Sequence, residues 1–192
     1  MPKPDHGWWH LMWHTYGTWL PGNPRGFRNR DHRVHSSGDY RNPPPPEEHA
    51  GLYRYAQRVS GAEVLLNTSL LRERIGLKLV ELLNESQHSV LAIAVCKVHV
   101  HTLVEFPNEK NAFDGLLTRL KTKSSAAIRD VLPGRVWGRG DTRKLKRDRI
   151  AHEKCYDYIR NSQEHGAWVW TYREGFVPVE ARVGTITKRK ID

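Results

Sequence analysis

Apolar residues recur along this chain with two different periods. Over 69–84, SLLRERIGLKLVELLN puts Leu70, Leu71, Ile75, Leu79, Leu82 and Leu83 on one stripe and leaves Arg72, Glu73, Lys78 and Glu81 largely opposite, which predicts an amphipathic helix. A second helical stripe over 112–131 turns Phe113, Leu116, Leu117, Leu120 and Ile128 inward and keeps Arg119, Lys121, Lys123 and Arg129 in water. Between them, SVLAIAVCKVHVHTLVEF over 89–106 is apolar and β-branched, with a break at Cys96-Lys97. That pattern predicts two strands joined by a tight turn. The aromatic run WWHLMWHTYGTW over 8–19, ended by Leu20-Pro21-Gly22, predicts a first strand. A short strand over 135–137 and a further helix over 148–162 complete the set, the basic stretch DTRKLKRDR leading into that helix.

The order strand, helix, strand, strand, helix, strand predicts an α+β fold. The expected form is a ferredoxin-like, four-stranded antiparallel sheet with helices on one face and an additional tyrosine-bearing helix. The other face of the sheet is expected to stay free. With 192 residues, one domain is expected over 1–175, containing a long basic Pro/Gly-rich loop at 21–50 and followed by a tail at 176–192.

Composition sharpens the choice of partner. Lys and Arg number 31 against 21 Asp and Glu, a net charge of +10, and the pI is near 9.8, so a polyanion is the first partner to expect. No stretch approaches the roughly 18 apolar residues of a membrane span, and the opening MPKPDHGWWH has no apolar core of a secretory signal. A cytoplasmic, nucleoid-associated protein with no membrane partner is expected. Cys96 and Cys155 are too few for a disulfide framework and are expected to be buried thiols.

Two short segments carry chemistry. In Lys97-Val98-His99-Val100-His101-Thr102-Leu103-Val104-Glu105, strand alternation sends His99 and His101 to one face and the valines to the other. Two imidazoles on one face can share a divalent cation, though a third ligand must come from elsewhere; the alternative is a pair of polar residues facing water. In His152-Glu153-Lys154-Cys155-Tyr156-Asp157-Tyr158-Ile159-Arg160-Asn161-Ser162-Gln163, a tyrosine is a candidate nucleophile toward phosphate, with packing at the surface as the alternative. His10 and His14 are expected to have satisfied imidazoles, and Trp13, Trp19 and Trp137 to belong to core or interface. Arg25, Arg28, Arg30 and Arg33 beside Phe27, and Arg139, Arg143, Lys144 and Lys146 before the tyrosine helix, mix cations with aromatics as single-stranded nucleic acid requires.

His99-Val100-His101-Thr102-Leu103-Val104-Glu105 resembles the His-hydrophobe-His strand of the single-tyrosine transposases of the insertion sequence 200/605 type and their REP-associated relatives. Tyr158-Ile159-Arg160-Asn161-Ser162-Gln163 resembles their nucleophile helix, and His14-Thr15-Tyr16-Gly17-Thr18-Trp19-Leu20-Pro21-Gly22 with Pro24-Arg25-Gly26 resembles the opening of one branch. The resemblance implies cleavage and rejoining of single-stranded or hairpin DNA with Mg2+ or Mn2+ through a 5'-phosphotyrosine, often by a homodimer. It implies Tyr158 as nucleophile, with Tyr156 a rival, and His99, His101 and Gln163 as metal ligands. In the best-known members the polar ligand stands four residues after the tyrosine; here Ser162 stands there and Gln163 comes fifth, so Glu105 or Glu164 is an alternative ligand. A hairpin-DNA-binding protein without the chemistry, and a phosphodiesterase using water, are the competing expectations.

Overall fold

The computed structural model describes residues 3, 5–24, 27, 35–38, 42–45, 47–109 and 112–182. The chain divides into two compact units, Thr15–Val64 and the remainder, Met1–His14 with Leu65–Asp192.

The larger unit holds one six-stranded sheet in the order β4-β1-β3-β2-β5-β6. Its strands are β1 (His6–Thr15), β2 (Val90–Val95), β3 (His99–Pro107), β4 (Trp137–Lys146), β5 (Trp168–Thr171) and β6 (Gly175–Phe176). The first four stand in the ferredoxin-like order, and the fold is α+β and antiparallel as the element order predicts; β5 and β6 add two strands beyond β2. Helices α2 (Ser69–Glu85) and α3 (Ala112–Ala126) are the expected crossovers. Thr68 caps α2 by accepting from Leu71 N, and the apolar stripe follows directly: Leu71, Ile75, Leu79, Leu82 and Leu83 are all buried.

These two helices cover the face that carries Leu11, Trp13, Ile93, Val100 and Val104. Trp9 and Phe106 meet Phe113 of α3 with ring centroids 4.7 and 4.5 Å apart, and Trp137 donates Nε1–H to Ser124 Oγ at 3.0 Å. Trp13 packs edge-on against Trp137 at 6.0 Å, so both are core residues. On the β5 side, α2 comes so close that a Cβ on Gly76 would stand 2.1 Å from the Trp168 ring.

The opposite face, which the sequence pattern predicts to be free, is covered. Helix α4 (Arg149–Asn161), capped by Asp148 Oδ1 accepting from Ala151 N at 2.7 Å, lies across it. Cys155 and Ile159, one turn apart, enter a second core with Ala92, Ala94, Cys96, Leu103, Ala167, Val169 and Val177. The strand facing α4 offers only alanines at 92 and 94, which lets the helix backbone approach. Arg160 fixes the end of α4 through a two-pronged ion pair with Glu174 in the β5–β6 turn, at 2.6 and 2.7 Å.

Other boundaries shift. The first strand ends at Thr15 rather than at 19, and the fourth strand is ten residues long, running through the basic segment instead of stopping at 137. In the smaller unit, helix α1 (Ala50–Ser60) follows the Pro/Gly-rich segment. Gly22, at φ 82, lies where a Cβ would stand 2.5 Å from Tyr53 N, and Tyr16 O accepts from Val64 N at 2.9 Å to close the unit. No described helix is long and apolar enough to cross a membrane.

Gly76→Ala tests the α2–β5 contact. Alanine gains about 1 kcal/mol of helix propensity over glycine, but overpacking a filled core costs about 1–3 kcal/mol. With a Cβ 2.1 Å from a buried tryptophan, net destabilisation is expected, read as a lower urea midpoint; a raised midpoint would mean α2 stands off from Trp168.

Candidate functional site

The antiparallel register of β1 on β3 pairs His10 with Leu103, Met12 with His101 and His14 with His99. Opposed residues share a face, so the four histidines His10, His14, His99 and His101 project together, on the side of α4. The rings of His99 and His101 lie 4.7 Å apart, and those of His14 and His99 5.8 Å apart. His10 Nε2 and His101 Nδ1 are 2.9 Å apart, a hydrogen bond between two imidazoles, with the rings stacked at 5.1 Å. The partner foreseen for the His10 imidazole is thus the neighbouring candidate ligand.

Covering by α4 leaves His101 only 3% exposed. Burial, followed by the nearby His99, His10 and His14, drives its pKa well below the ordinary histidine value. His10 falls to about 4 because of burial and then Lys146 and Lys144; His14 falls to about 4 because of burial and then His99 and Lys121. These three imidazoles are neutral at pH 7.

Tyr158 sits at the rim of this cluster. Its ring centroid is 5.4 Å from that of His101 and 6.3 Å from that of His10, edge-on to both, and the side chain is 43% exposed. Tyr156, two residues earlier, projects elsewhere: it packs against the α4 core and lines a groove of about 1000 Å³ with Trp8, His152 and Tyr172. The His152 ring stacks on Trp8 at 5.1 Å. Among the described residues, the structure brings together His99, His101 and Tyr158, and adds His10 and His14.

It does not add Gln163 as an open donor. Gln163 is 3% exposed; its Nε2 donates to Tyr158 O at 2.9 Å, and its Oε1 accepts from Cys96 Sγ at 3.4 Å. The amide thereby closes the last turn of α4 against the β2–β3 turn. The alternatives are engaged too. Glu105 accepts from Lys3 N and from Ser89, and Glu164 accepts from Lys97 N.

A divalent cation needs unprotonated donors. His101 Nε2 is buried and has no hydrogen-bond partner, and the imidazole is neutral, so it fits that requirement. His99 stands beside it on the same strand. Among the described residues no three His, Cys, Asp or Glu side chains are grouped to hold a metal ion.

The basic residues divide. Strand alternation in β4 puts Trp137, Arg139, Asp141 and Arg143 toward the α2–α3 face, where Arg143 lies 5.5 Å over the Phe113 ring and pairs with Asp114 and Asp141 at 2.6 Å each. Lys144 and Lys146 fall on the histidine side, where both act on His10. Arg25, Arg28, Arg30 and Arg33 lie outside the described residues. Cys96 and Cys155 are free and buried, as expected.

Comparison with protein-family models gives no match, and none is found among curated proteins. Among solved structures, the REP-associated tyrosine transposase bound to a REP hairpin is a distant likeness of fold, with a TM-score of 0.44 and 13% identity. The match covers 80% of this chain and 64% of that one, so the chain spans less than two thirds of its length.

The neutral imidazoles have a pH consequence. His10 and His14 titrate near 6.5 when unfolded and near 4 when folded. Between those values the unfolded chain binds protons that the folded one does not, so stability falls as pH drops from 6.5 toward 4, and is unaffected by these groups above 6.5. Urea midpoints are expected to fall between about pH 7 and about pH 5, less steeply in His14→Gln. An equal slope in that variant would remove His14 from the account.

Proposed function

We propose that this chain cuts and rejoins single-stranded or hairpin DNA through Tyr158, assisted by a divalent cation such as Mg2+ or Mn2+. The observation that carries the reading is an exposed tyrosine ring standing edge-on to two neutral imidazoles, the buried His101 and the half-buried His10, with His99 beside them. The resemblance of the two motifs to single-tyrosine transposases supplies the substrate class, and the net charge of +10 agrees with a polyanionic partner.

In this reading Tyr158 Oη attacks the phosphorus of a DNA phosphodiester. The new P–Oη bond gives a 5'-phosphotyrosine, the P–O3' bond breaks, and the phenolic proton ends on the departing 3'-oxygen through water. The ester energy is retained, so a 3'-hydroxyl can reverse the step and rejoin strands. A free phenol, with a pKa of about 10, is a weak nucleophile. A cation held by His99 and His101 would offset charge on the phosphate oxygens and favour the phenolate. Burial under α4 keeps His101 neutral, which leaves it able to hold such a cation. Lys144 and Lys146 on the same side attract the phosphate, and the half-exposed Tyr158 leaves room for a strand to enter. A homodimer would bring two such tyrosines to paired element ends.

The engagement of Gln163 favours a second reading, a hairpin-DNA-binding protein on the same scaffold without strand cleavage. One experiment separates the two. Labelled hairpin oligonucleotides with single-stranded flanks are incubated with protein and Mn2+, then denatured. A protein–DNA conjugate is expected with the parent chain and with Tyr156→Phe, and its loss, by a factor of about a thousand or more, with Tyr158→Phe. Salt-sensitive binding without any conjugate in the parent chain would establish the second reading instead.

A further inference from the structure

His10 is unaccounted for by the reaction just described, although it makes the closest polar contact to the buried imidazole of His101. A neutral imidazole carries one N–H and one lone pair, and which nitrogen holds the proton is fixed by the hydrogen bond of the other. Two arrangements satisfy the 2.9 Å contact between His10 Nε2 and His101 Nδ1. If His10 donates, His101 carries its proton on Nε2, and that N–H is buried without an acceptor. If His101 donates from Nδ1, the buried Nε2 is a lone pair. In the second arrangement the nitrogen facing away from His10 carries no proton that needs an acceptor, and the 2.9 Å contact has its donor in His101 Nδ1–H.

We infer that His10 is a positioning residue: it accepts the Nδ1 proton of His101 and so holds His101 in the tautomer whose Nε2 is a bare lone pair. The inference rests on the proposed function only for the use to which that lone pair is put. His10 is held for the task by the backbone. It stands opposite Leu103 on β1, next to the Met12–His101 pair, and its neighbours Trp9 and Leu11 face the other side of the sheet. With Nε2 turned to His101, His10 uses that nitrogen to orient the ligand rather than to bind a cation itself. A bond from the outer nitrogen of a ligating histidine to a fixed acceptor commonly sets metal affinity in this way.

The test begins with the unmodified protein, free of metal. Long-range nitrogen–proton correlation spectra distinguish the two tautomers of His101 directly. The Nδ1–H form is expected; a predominant Nε2–H form overturns the inference without reference to any variant. Titration with Mn2+ then compares the parent chain with His10→Gln, whose amide oxygen can still accept, and His10→Phe, which cannot. Mn2+ affinity is expected to fall about 10–100-fold in His10→Phe and to be largely retained in His10→Gln. Unchanged affinity and an unchanged His101 tautomer in a folded His10→Phe would also overturn it. Should Mn2+ bind and the tautomer be as inferred while no DNA conjugate forms, the strand-transfer reading fails and this inference stands. A conjugate formed by a protein whose His101 is in the Nε2–H form fails the inference alone.

Discussion

Side-chain alternation makes the pairing register of β1 on β3 an all-or-none matter. In the observed register Met12 opposes His101 and His14 opposes His99, while Trp13 opposes Val100. A slip of one residue would turn Trp9, Leu11 and Trp13 toward α4 and drive His10 and His14 into the core beneath α2 and α3. Leu11 and Trp13 are fully buried, and burying such side chains contributes about 1.5–3 kcal/mol each. The apolar face of β1 thus fixes the register, and the register places the histidines. Packing on one side of the sheet determines the chemistry available on the other.

That second side depends on how near α4 can come. Alanines at 92 and 94, beside Leu103 and His101 in the β2–β3 register, leave room for Cys155 and Ile159. The helix brings Tyr158 to the imidazoles and removes water from His101 in the same act. Its two ends are fastened independently, by the Asp148 cap and by the Arg160–Glu174 pair. Arg160 and Gln163, both in the segment that resembles a nucleophile helix, hold the helix in position: one ties it to the β5–β6 turn, and the other links its last turn to Cys96.

What the sequence discloses follows from which interactions are local. The shared face of His99 and His101 needs only period-two alternation, and α2 needs only its stripe and Thr68. Helix α4 was legible from Asp148 to Ser162, but the sheet surface it covers was not. Its buried surface rests on two residues, and the alanines that admit it lie some sixty positions earlier. The strand β4 was largely hidden because Arg139, Arg143, Lys144 and Lys146 read as a nucleic-acid-binding run; the partners of Arg143, Asp114, Asp141 and the Phe113 ring, declare themselves only in three dimensions. His10 beside His101 needed the strand register, which no spacing within β1 reveals. The brief β5 and β6 lacked length enough for a period.

Dividing β4 between faces also separates two electrostatic tasks that the basic run confounded. Arg143, paired to two carboxylates, contributes little net charge to any ligand. Lys144 and Lys146 stand on the histidine side and lower the pKa of His10. Their charge helps keep His10 neutral, and in the proposed reading the same charge would attract an anion to the cluster. A protonated cluster would attract phosphate as well, but it would have no lone pairs to offer a cation. In the proposed reading, positive charge on lysines beside neutral histidines would let one face of the sheet draw in a polyanion and still hold a cation against it.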